Sequence, residues 1–409
     1  MNIPSSPISF SSFFTESQFE TQEERLAIDE QSGSVIIGVP MENPNLESRV
    51  ALVPNSIRTL VGYGHKVMVQ SGAGEKSNFS DHNYSEAGAI ICTTANEVFK
   101  SDIIVKISPI SIQELDMMHD GKVIISPIQL PTLSQEYFLK LQQKKITALA
   151  MEYIQAEDKS FPIVQITSEL SGMVAIQTAA ELLQNTKQGR GVLLGGVSGV
   201  PPAKVVILGA GLVGEFATKT ALNLGASVRI FDNDITKIMR LQSAIGRQLH
   251  TSSINPVYLA YQLLSADVVI GAMHSTQGRT PILVTEEMVS KMKEGAVIVD
   301  ISIDQGGCIE TSEITTHQDP TFVKHGIIHY CVPNIASKVS RTASVAVSNI
   351  IIPLLVKAGS CLNIEELLYS SAGTRNGCYS YKGRITNEYI SRRFELKYTN
   401  LDLLLTSSL

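Results

Sequence analysis

The stretch Val205 to Ala217 reads "VVILGAGLVGEFA": an apolar run, a glycine-rich turn, and small residues opening a helical pattern. Gly209, Gly211 and Gly214 fit the spacing G-x-G-x-x-G directly after the strand "KVVIL". In such a strand–turn–helix unit the first glycine makes the tight turn. The second lets the backbone approach a pyrophosphate, and the third lets the helix pack close to the strand. The helix N-terminus adds unpaired N–H groups and a partial positive charge for the phosphates. A glycine turn serving packing alone is the alternative. Against it, the next strand, "SVRIF", ends at Asp232, about 20 residues on, where a carboxylate binds ribose hydroxyls and repels a 2′-phosphate. Arg229 alternates to the other side of that strand. These residues predict a Rossmann unit that binds NAD rather than NADP.

About 200 residues precede the turn, and from Ser34 they alternate apolar strands with helical stretches: "SVIIGVP", "NSIRTLVGYG", "HKVMVQSG", "DIIVKIS", "KVIISPIQ", "SQEYFLKLQQKK". Strand and helix in turn predict an α/β layer on a mostly parallel sheet. A long helix, "SELSGMVAIQTAAELLQ", and a glycine-rich loop ending in Pro-Pro lead into the nucleotide unit. "ADVVIGAM", "GAVIVDIS" and "GIIHYCVPN" add strands to it, and "VSRTASVAVSNIIIPLLVKAG" is helical again. The expected fold class is α/β, two Rossmann-like domains, with the NAD-binding domain inserted into a discontinuous substrate domain. The expected divisions are a polar N-terminal arm over 1–33, the first part of the substrate domain over 34–162, the NAD-binding domain over 163–338, and a return helix with the rest of the substrate domain over 339–409. The stretch "NGCYSYKGRIT" carries no assignment.

Composition narrows the function. The 409 residues are 44% hydrophobic, enough for a sizeable core in two domains, and carry a net charge of −6 without a basic stripe. Nucleic acid, whose binding rests on phosphate neutralisation, is not an expected partner. Five cysteines at irregular spacings, with no CxxC, indicate neither a disulfide framework nor a zinc site. Reduced thiols fit a cytoplasmic protein. The first 33 residues lack the charged and apolar regions of a signal peptide. No uncharged apolar stretch approaches the ~20 residues that span a bilayer, so no membrane partner is expected.

The motifs "GVPMENPNLESRVALVP", "GHKVMVQSGAGEKSNFSD", "GRGVLLGGVSGVPPAKVVILGAGLVG", "ADVVIGA", "GAVIVDISIDQGGCIETS" and "HYCVPN" resemble the alanine dehydrogenase / pyridine nucleotide transhydrogenase family, the dehydrogenases more closely. The similarity runs from about Ser34 to Gly359. It implies two domains, a homohexamer, NAD as cofactor, and the reaction L-alanine + NAD⁺ + water ⇌ pyruvate + ammonium + NADH + H⁺. By the same resemblance Arg49 holds the substrate carboxylate, for which a guanidinium fork is suited. Asp304, just past a strand end, is the active-site aspartate. Ser168 and Lys237 lie by the pyrophosphate and the adenosine, and Asn334 faces the nicotinamide. Ordinary alternatives are a surface ion pair for Arg49, a turn or cap for Asp304, an N-cap for Ser168 and a solvated helix face for Lys237.

Two positions depart from the family. A K-x-K pair is expected after "SDIIV"; Lys106 falls on its first lysine and Ser108 on the second. The expected acid/base histidine is Gln129. Lys106 and Ser108 share one strand face, so Lys106 can reach forward to supply the lost ammonium; a lysine snorkelling at the sheet's end is the alternative. His274 is the histidine to test as a displaced base; His65, His119 and His329 read as structural. An NAD-dependent alanine dehydrogenase is the leading expectation. A related amino-acid or imino-acid dehydrogenase and an NAD(H)-binding sensor or subunit without turnover are the others.

Overall fold

The computed structural model describes residues 34–130, 133–275, 278–360 and 364–406; the polar arm lies outside them. The first six strands are β1 (Ile36–Val39), β2 (Lys66–Gln70), β3 (Ile90–Cys92), β4 (Ile103–Val105), β5 (Val123–Ser126) and β6 (Thr147–Ala150). The next seven are β7 (Lys204–Leu208), β8 (Ser227–Phe231), β9 (Thr251–Ser252), β10 (Val268–Gly271), β11 (Val297–Asp300), β12 (Thr321–Lys324) and β13 (Ile327–Tyr330). A final hairpin is β14 (Cys378–Tyr381) and β15 (Arg384–Ile385).

These strands build two sheets, ordered β15-β14-β6-β5-β4-β1-β2-β3 and β12-β13-β11-β10-β7-β8-β9. Strands β1 to β6 run parallel, and β14 closes that sheet antiparallel to β6. The hairpin thus gives "CYSY" and "RI" a place, and returns the chain to the sheet where it began. Two Rossmann-like domains result, the second set into the first.

Buried strand residues explain the layering. Ile37, Val67, Val69, Val105, Ile125 and Leu149 form one core with Val347, Ile351 and Leu355 of the Ser340–Ser360 helix. Val205, Ile207, Val228, Ile270 and Val297 form another with Ala175 and Ala179 of the Pro162–Leu182 helix. That helix begins ahead of Ser168, in mid-turn, so Ser168 is not its N-cap. Strands covered on both faces need continuous apolar runs, which is how these read.

The strand order reverses between β1 and β4 in one sheet and between β7 and β10 in the other. In open α/β sheets ligands bind in the crevice beyond the C-terminal strand ends at such a switch point. The loops after β1 and β4, and after β7 and β10, are therefore where the chemistry belongs.

Candidate active site

The loop after β1 carries Glu42, Glu47 and Arg49. Glu47 accepts from Arg49 three times: from the backbone N–H at 2.9 Å, from Nε at 2.9 Å and from Nη2 at 2.8 Å. Both residues are buried, Arg49 at 8% exposure. Burial opposes ionisation of Glu47. The Arg49 hydrogen bonds and charge, with Ser337, outweigh it and hold the carboxyl below its ordinary value. The fork leaves Nη1 and the second Nη2 proton free of Glu47, the donors that would meet a substrate carboxylate.

No sheet satisfies the backbone of this loop; a helix does. Ser337, Ser344 and Ser348 accept from the N–H groups of Ser48 (2.8 Å), Val50 (2.9 Å) and Val53 (3.2 Å). Ser340, Ser344 and Ser348 recur at four-residue spacing in the Ser340–Ser360 helix, hence on one face. The stretch Ile335–Ala358 is long and apolar enough to cross a membrane, with a mean hydropathy of 1.6. Here its serines grip the Arg49 loop and its apolar residues enter the first core.

The nucleotide domain supplies the facing side. Asp300 ends β11 and is buried; it accepts from Ser302 N–H, Cys308 N–H and Ser312 Oγ, folding the following loop onto itself. Gly306 and Gly307 take φ of +89° and +76°, which side chains rarely adopt, and let that loop turn. Asp304 is thereby set at the cleft. As a residue it is solvent-exposed, while its carboxyl lies against Asn334 and is desolvated there, which raises its pKa. The Asn334 N–H and the Arg49 charge offset part of that rise, and Asp300 adds to it.

Asn334 follows β13 in a left-handed conformation, φ +59°. Its Nδ2 donates to Glu47, whose other oxygen accepts from Ser337 Oγ at 2.9 Å. Arg49, Asp304 and Asn334, distant in sequence, thus converge across the two sheets. His317 joins them: burial lowers its pKa, Glu47 and the Asn334 carbonyl pull the other way, and Arg49 and Lys338 add to the lowering. Its Nε2 is buried and has no hydrogen-bond partner among the described residues.

At the nucleotide end, Gly209 has φ +112°, and a Cβ there would overlap the Ala272 carbonyl. A Cβ on Gly214 would overlap the Gly209 carbonyl oxygen. A Cβ on Gly211 would meet nothing within 4 Å among the described residues, so the turn leaves an open cradle at that residue. The Leu212–Asn223 helix starts there with no side-chain cap, and its first N–H groups face the cradle's needs. Asp232 accepts from Ala210 N–H at 2.7 Å and Asp234 N–H at 2.8 Å, tying the turn to the second strand. Each oxygen keeps a lone pair for a ribose hydroxyl. Lys237 is exposed, 3.9 Å from Asp234. His274, exposed beyond β10, has its pKa lowered by desolvation and by the Lys237 charge, which sets it on the Lys237 side. Arg229 bonds Ser227 Oγ and the Val228 carbonyl. Ser168 is half-buried in the Pro162–Leu182 helix. An open cradle, an uncapped helix and an anchored carboxylate fit a dinucleotide.

The loops after β4 and β5 complete the wall. Lys106 is 6% exposed, and its ammonium lies between Glu114 Oε1 at 2.7 Å and Glu42 Oε2 at 3.8 Å. It is thus an ion-paired group and not a snorkelling one. Glu42 also accepts from Ile107 N–H at 2.6 Å and from the Ser108 hydroxyl. Gln129 sits exposed in the β5 loop at φ +39°. Glu152, after β6, accepts from Ile128 N–H at 2.8 Å and steadies that loop. His329 is a satisfied core group, bonded to Thr311 Oγ1 at 2.8 Å and the Ile327 carbonyl at 3.0 Å.

Glu42, Glu47, His317 and the helix serines escaped the sequence reading. Four-residue serine spacing before an apolar helix was the one legible signal among them.

Family profiles described as "Alanine dehydrogenase/PNT, N-terminal domain" and "Alanine dehydrogenase/PNT, C-terminal domain" match residues 38–171 and 175–388. Alanine dehydrogenase 2 of Staphylococcus aureus (strain USA300) is 38% identical over 367 residues, spanning 90% of this chain and 98% of its own. A solved L-alanine dehydrogenase matches with a TM-score of 0.81 at 35% identity, covering 88% of this chain and 99% of its own. A transhydrogenase from Sinorhizobium meliloti matches with a TM-score of 0.72 at 26% identity, covering 87% and 99%. With both domain profiles and a full-length relative in agreement, the chain belongs to the alanine dehydrogenase/PNT family.

Proposed function

We propose that this protein is an NAD-dependent oxidoreductase that interconverts L-alanine with pyruvate and ammonium. The observation that carries the reading is the meeting of Arg49, Asp304 and Asn334 where the two strand-end crevices face each other. A cation for a carboxylate, an acid for an amine and an amide for the nicotinamide are the groups this reaction needs side by side.

Bound on the Gly209, Gly211 and Gly214 turn, NAD⁺ supplies the hydride acceptor. Arg49 holds the substrate carboxylate with the donors that Glu47 leaves free, fixing the orientation of Cα. Asp304 accepts from the substrate ammonium. Asn334 positions the nicotinamide, Asp232 accepts from the adenosine ribose, and Ser168 and Lys237 serve the pyrophosphate and the adenosine. Lys106, held by Glu42 and Glu114, is a positioning group for Glu42. Ser108 and Gln129 stand where the resemblance expects a lysine and a histidine. Closure of residues 163–338 against a substrate domain of 34–162 and 339–409 would keep water from the hydride path. The site is proposed to work in a cytoplasmic homohexamer engaged in alanine catabolism.

The test is steady-state turnover of the purified protein with L-alanine and NAD⁺, beside other amino acids and N-substituted ones. L-alanine with the highest kcat/KM supports the reading. Preference for another substrate moves it to a related dehydrogenase, and NADH binding without turnover moves it to a sensor. Light scattering in solution reads the oligomer.

A further inference from the structure

Asp304 serves the substrate ammonium, and no group named above takes the proton of the attacking water: Gln129 cannot take one, and Lys106 is held by two carboxylates. We propose that Ser108 and Glu42 form a proton relay, with the Ser108 hydroxyl passing a proton from the cleft to the buried Glu42 carboxylate. The inference rests on the alanine dehydrogenase reading and deepens it.

Geometry carries the case. Glu42 follows β1 and Ser108 follows β4, so the pair straddles the switch point of the first sheet. Glu42 is 4% exposed, and Ser108 is half-buried. The Ser108 hydroxyl donates to Glu42 Oε2, and Ile107 N–H donates to Oε1 at 2.6 Å. Ser108 N–H lies 3.4 Å from Oε1. The buried carboxyl is therefore hydrogen-bonded to a hydroxyl on a half-buried residue, through which a proton can pass outward. The charged groups facing Glu42 are Lys106 on β4's extension, itself bonded to Glu114, and Glu47 on its own loop, whose charge Arg49 balances. Burial pushes the Glu42 carboxyl up to about 7; Lys106, Ser108 and the Ile107 N–H restrain the rise, and Glu47 adds to it. A group at that value is charged and uncharged in comparable amounts near neutrality, as a relay needs.

The steps balance. Asp304 first takes one proton of the substrate ammonium, which is later released to solvent; hydride then leaves Cα of the free amine, and the substrate is an iminium cation. Water's oxygen bonds to that carbon, one water O–H bond breaks, and its proton goes to Ser108 Oγ as the Ser108 proton moves to Glu42. The product is a neutral carbinolamine. Glu42 then returns its proton through Ser108 to the amine nitrogen. The C–N bond breaks, the hydroxyl proton leaves with the nitrogen, and pyruvate and ammonium result. Glu42 ends as the carboxylate it began.

The test compares wild type with Glu42→Gln, Ser108→Ala and Ser108→Thr. Deamination in the wild type should rise with pH through a limb near 7. Glu42→Gln and Ser108→Ala should lose that limb and roughly 10²–10⁴-fold in kcat. NADH affinity and the KM for alanine should hold within about threefold, well below the tenfold that 1.4 kcal/mol represents. Ser108→Thr, which keeps the hydroxyl, should restore limb and rate. Should Glu42→Gln fail to bind NADH, Ser108→Ala answers alone, since it removes one atom from a half-buried position. Turnover with the limb intact in Ser108→Ala overturns the relay and leaves the dehydrogenase. No turnover by the wild type with NADH bound overturns the dehydrogenase, and the relay with it.

Discussion

Asn334 Nδ2 donates to Glu47, the carboxylate that grips the Arg49 guanidinium. One asparagine from the nucleotide domain therefore sets the orientation of the arginine on the opposite wall. Its own N–H lies near Asp304 and favours the ionised carboxyl, so Arg49 and Asp304 both answer to a single residue. The backbone at Asn334 is left-handed, φ +59°.

Replacing Arg49 with lysine keeps the charge and gives up the fork. Lysine cannot bond both Glu47 oxygens and a substrate carboxylate in parallel. Losing charge-assisted hydrogen bonds of roughly 1.5–3 kcal/mol predicts KM values for alanine and pyruvate higher by roughly 10- to 100-fold. NADH affinity should stay unchanged. Steady-state kinetics beside a fluorescence titration of NADH separates the two; an equal loss of both would remove Arg49 from the substrate site.

The glycines of the turn should respond differently to one methyl group. Gly211→Ala meets open space, so its melting temperature should match wild type while NADH binding weakens, because the methyl enters the cradle. Gly214→Ala overlaps the Gly209 carbonyl and should destabilise the fold by about 1–3 kcal/mol. Thermal melts and NADH titrations of both variants check this. Equal nucleotide affinity in Gly211→Ala and wild type would place the pyrophosphate elsewhere.

Stability should carry two opposite pH dependences from two neighbouring glutamates. Glu47 is depressed below its ordinary 4.5. Its contribution is full above that value and is lost as pH falls through the lower folded value. Glu42 is raised from 4.5 to about 7. Its contribution is full below 4.5 and fades as pH rises through 7. Melts from acid to neutral pH should show Glu47→Gln losing the acid-side dependence and Glu42→Gln losing the neutral-side one. Glu47→Gln also leaves Arg49 buried beside a neutral amide, which should cost about 3–5 kcal/mol at neutral pH.

Ser344 bonds Val50 N–H at 2.9 Å and lies 3.0 Å from Ser77 Oγ. Ser344→Ala leaves a buried N–H unpaired, an expected cost of about 1–3 kcal/mol. Because Val50 adjoins Arg49, the KM for alanine should rise along with the instability. A stability loss with KM unchanged would mean that the loop holds its shape without the helix.

What the sequence made legible was whatever local chemistry alone fixes. The Gly209–Gly214 turn needs its glycines for steric reasons present in any neighbouring context, so the nucleotide cradle could be read directly. Arg49, Asp304 and Asn334 each follow a parallel strand's C-terminal end, and topology then brings them together. Glu42 was invisible for the opposite reason. It is an unremarked acid in "PMENPN" until β4 lays Ser108 and Lys106 against it. Lys106 looked free to reach the substrate because its partner Glu114 lies on a separate helix, Ile112–Met117. The hairpin at Cys378–Ile385 escaped because its partner strand, β6, is more than two hundred residues earlier in the chain.

Transfer of a deuterium from Cα of labelled L-alanine to NAD⁺ tests the central claim most directly. Deuterated NADH should form in equal amount with pyruvate and ammonium, and should be lost in Arg49→Ala. Tight NADH binding with no label reaching the nucleotide would contradict it.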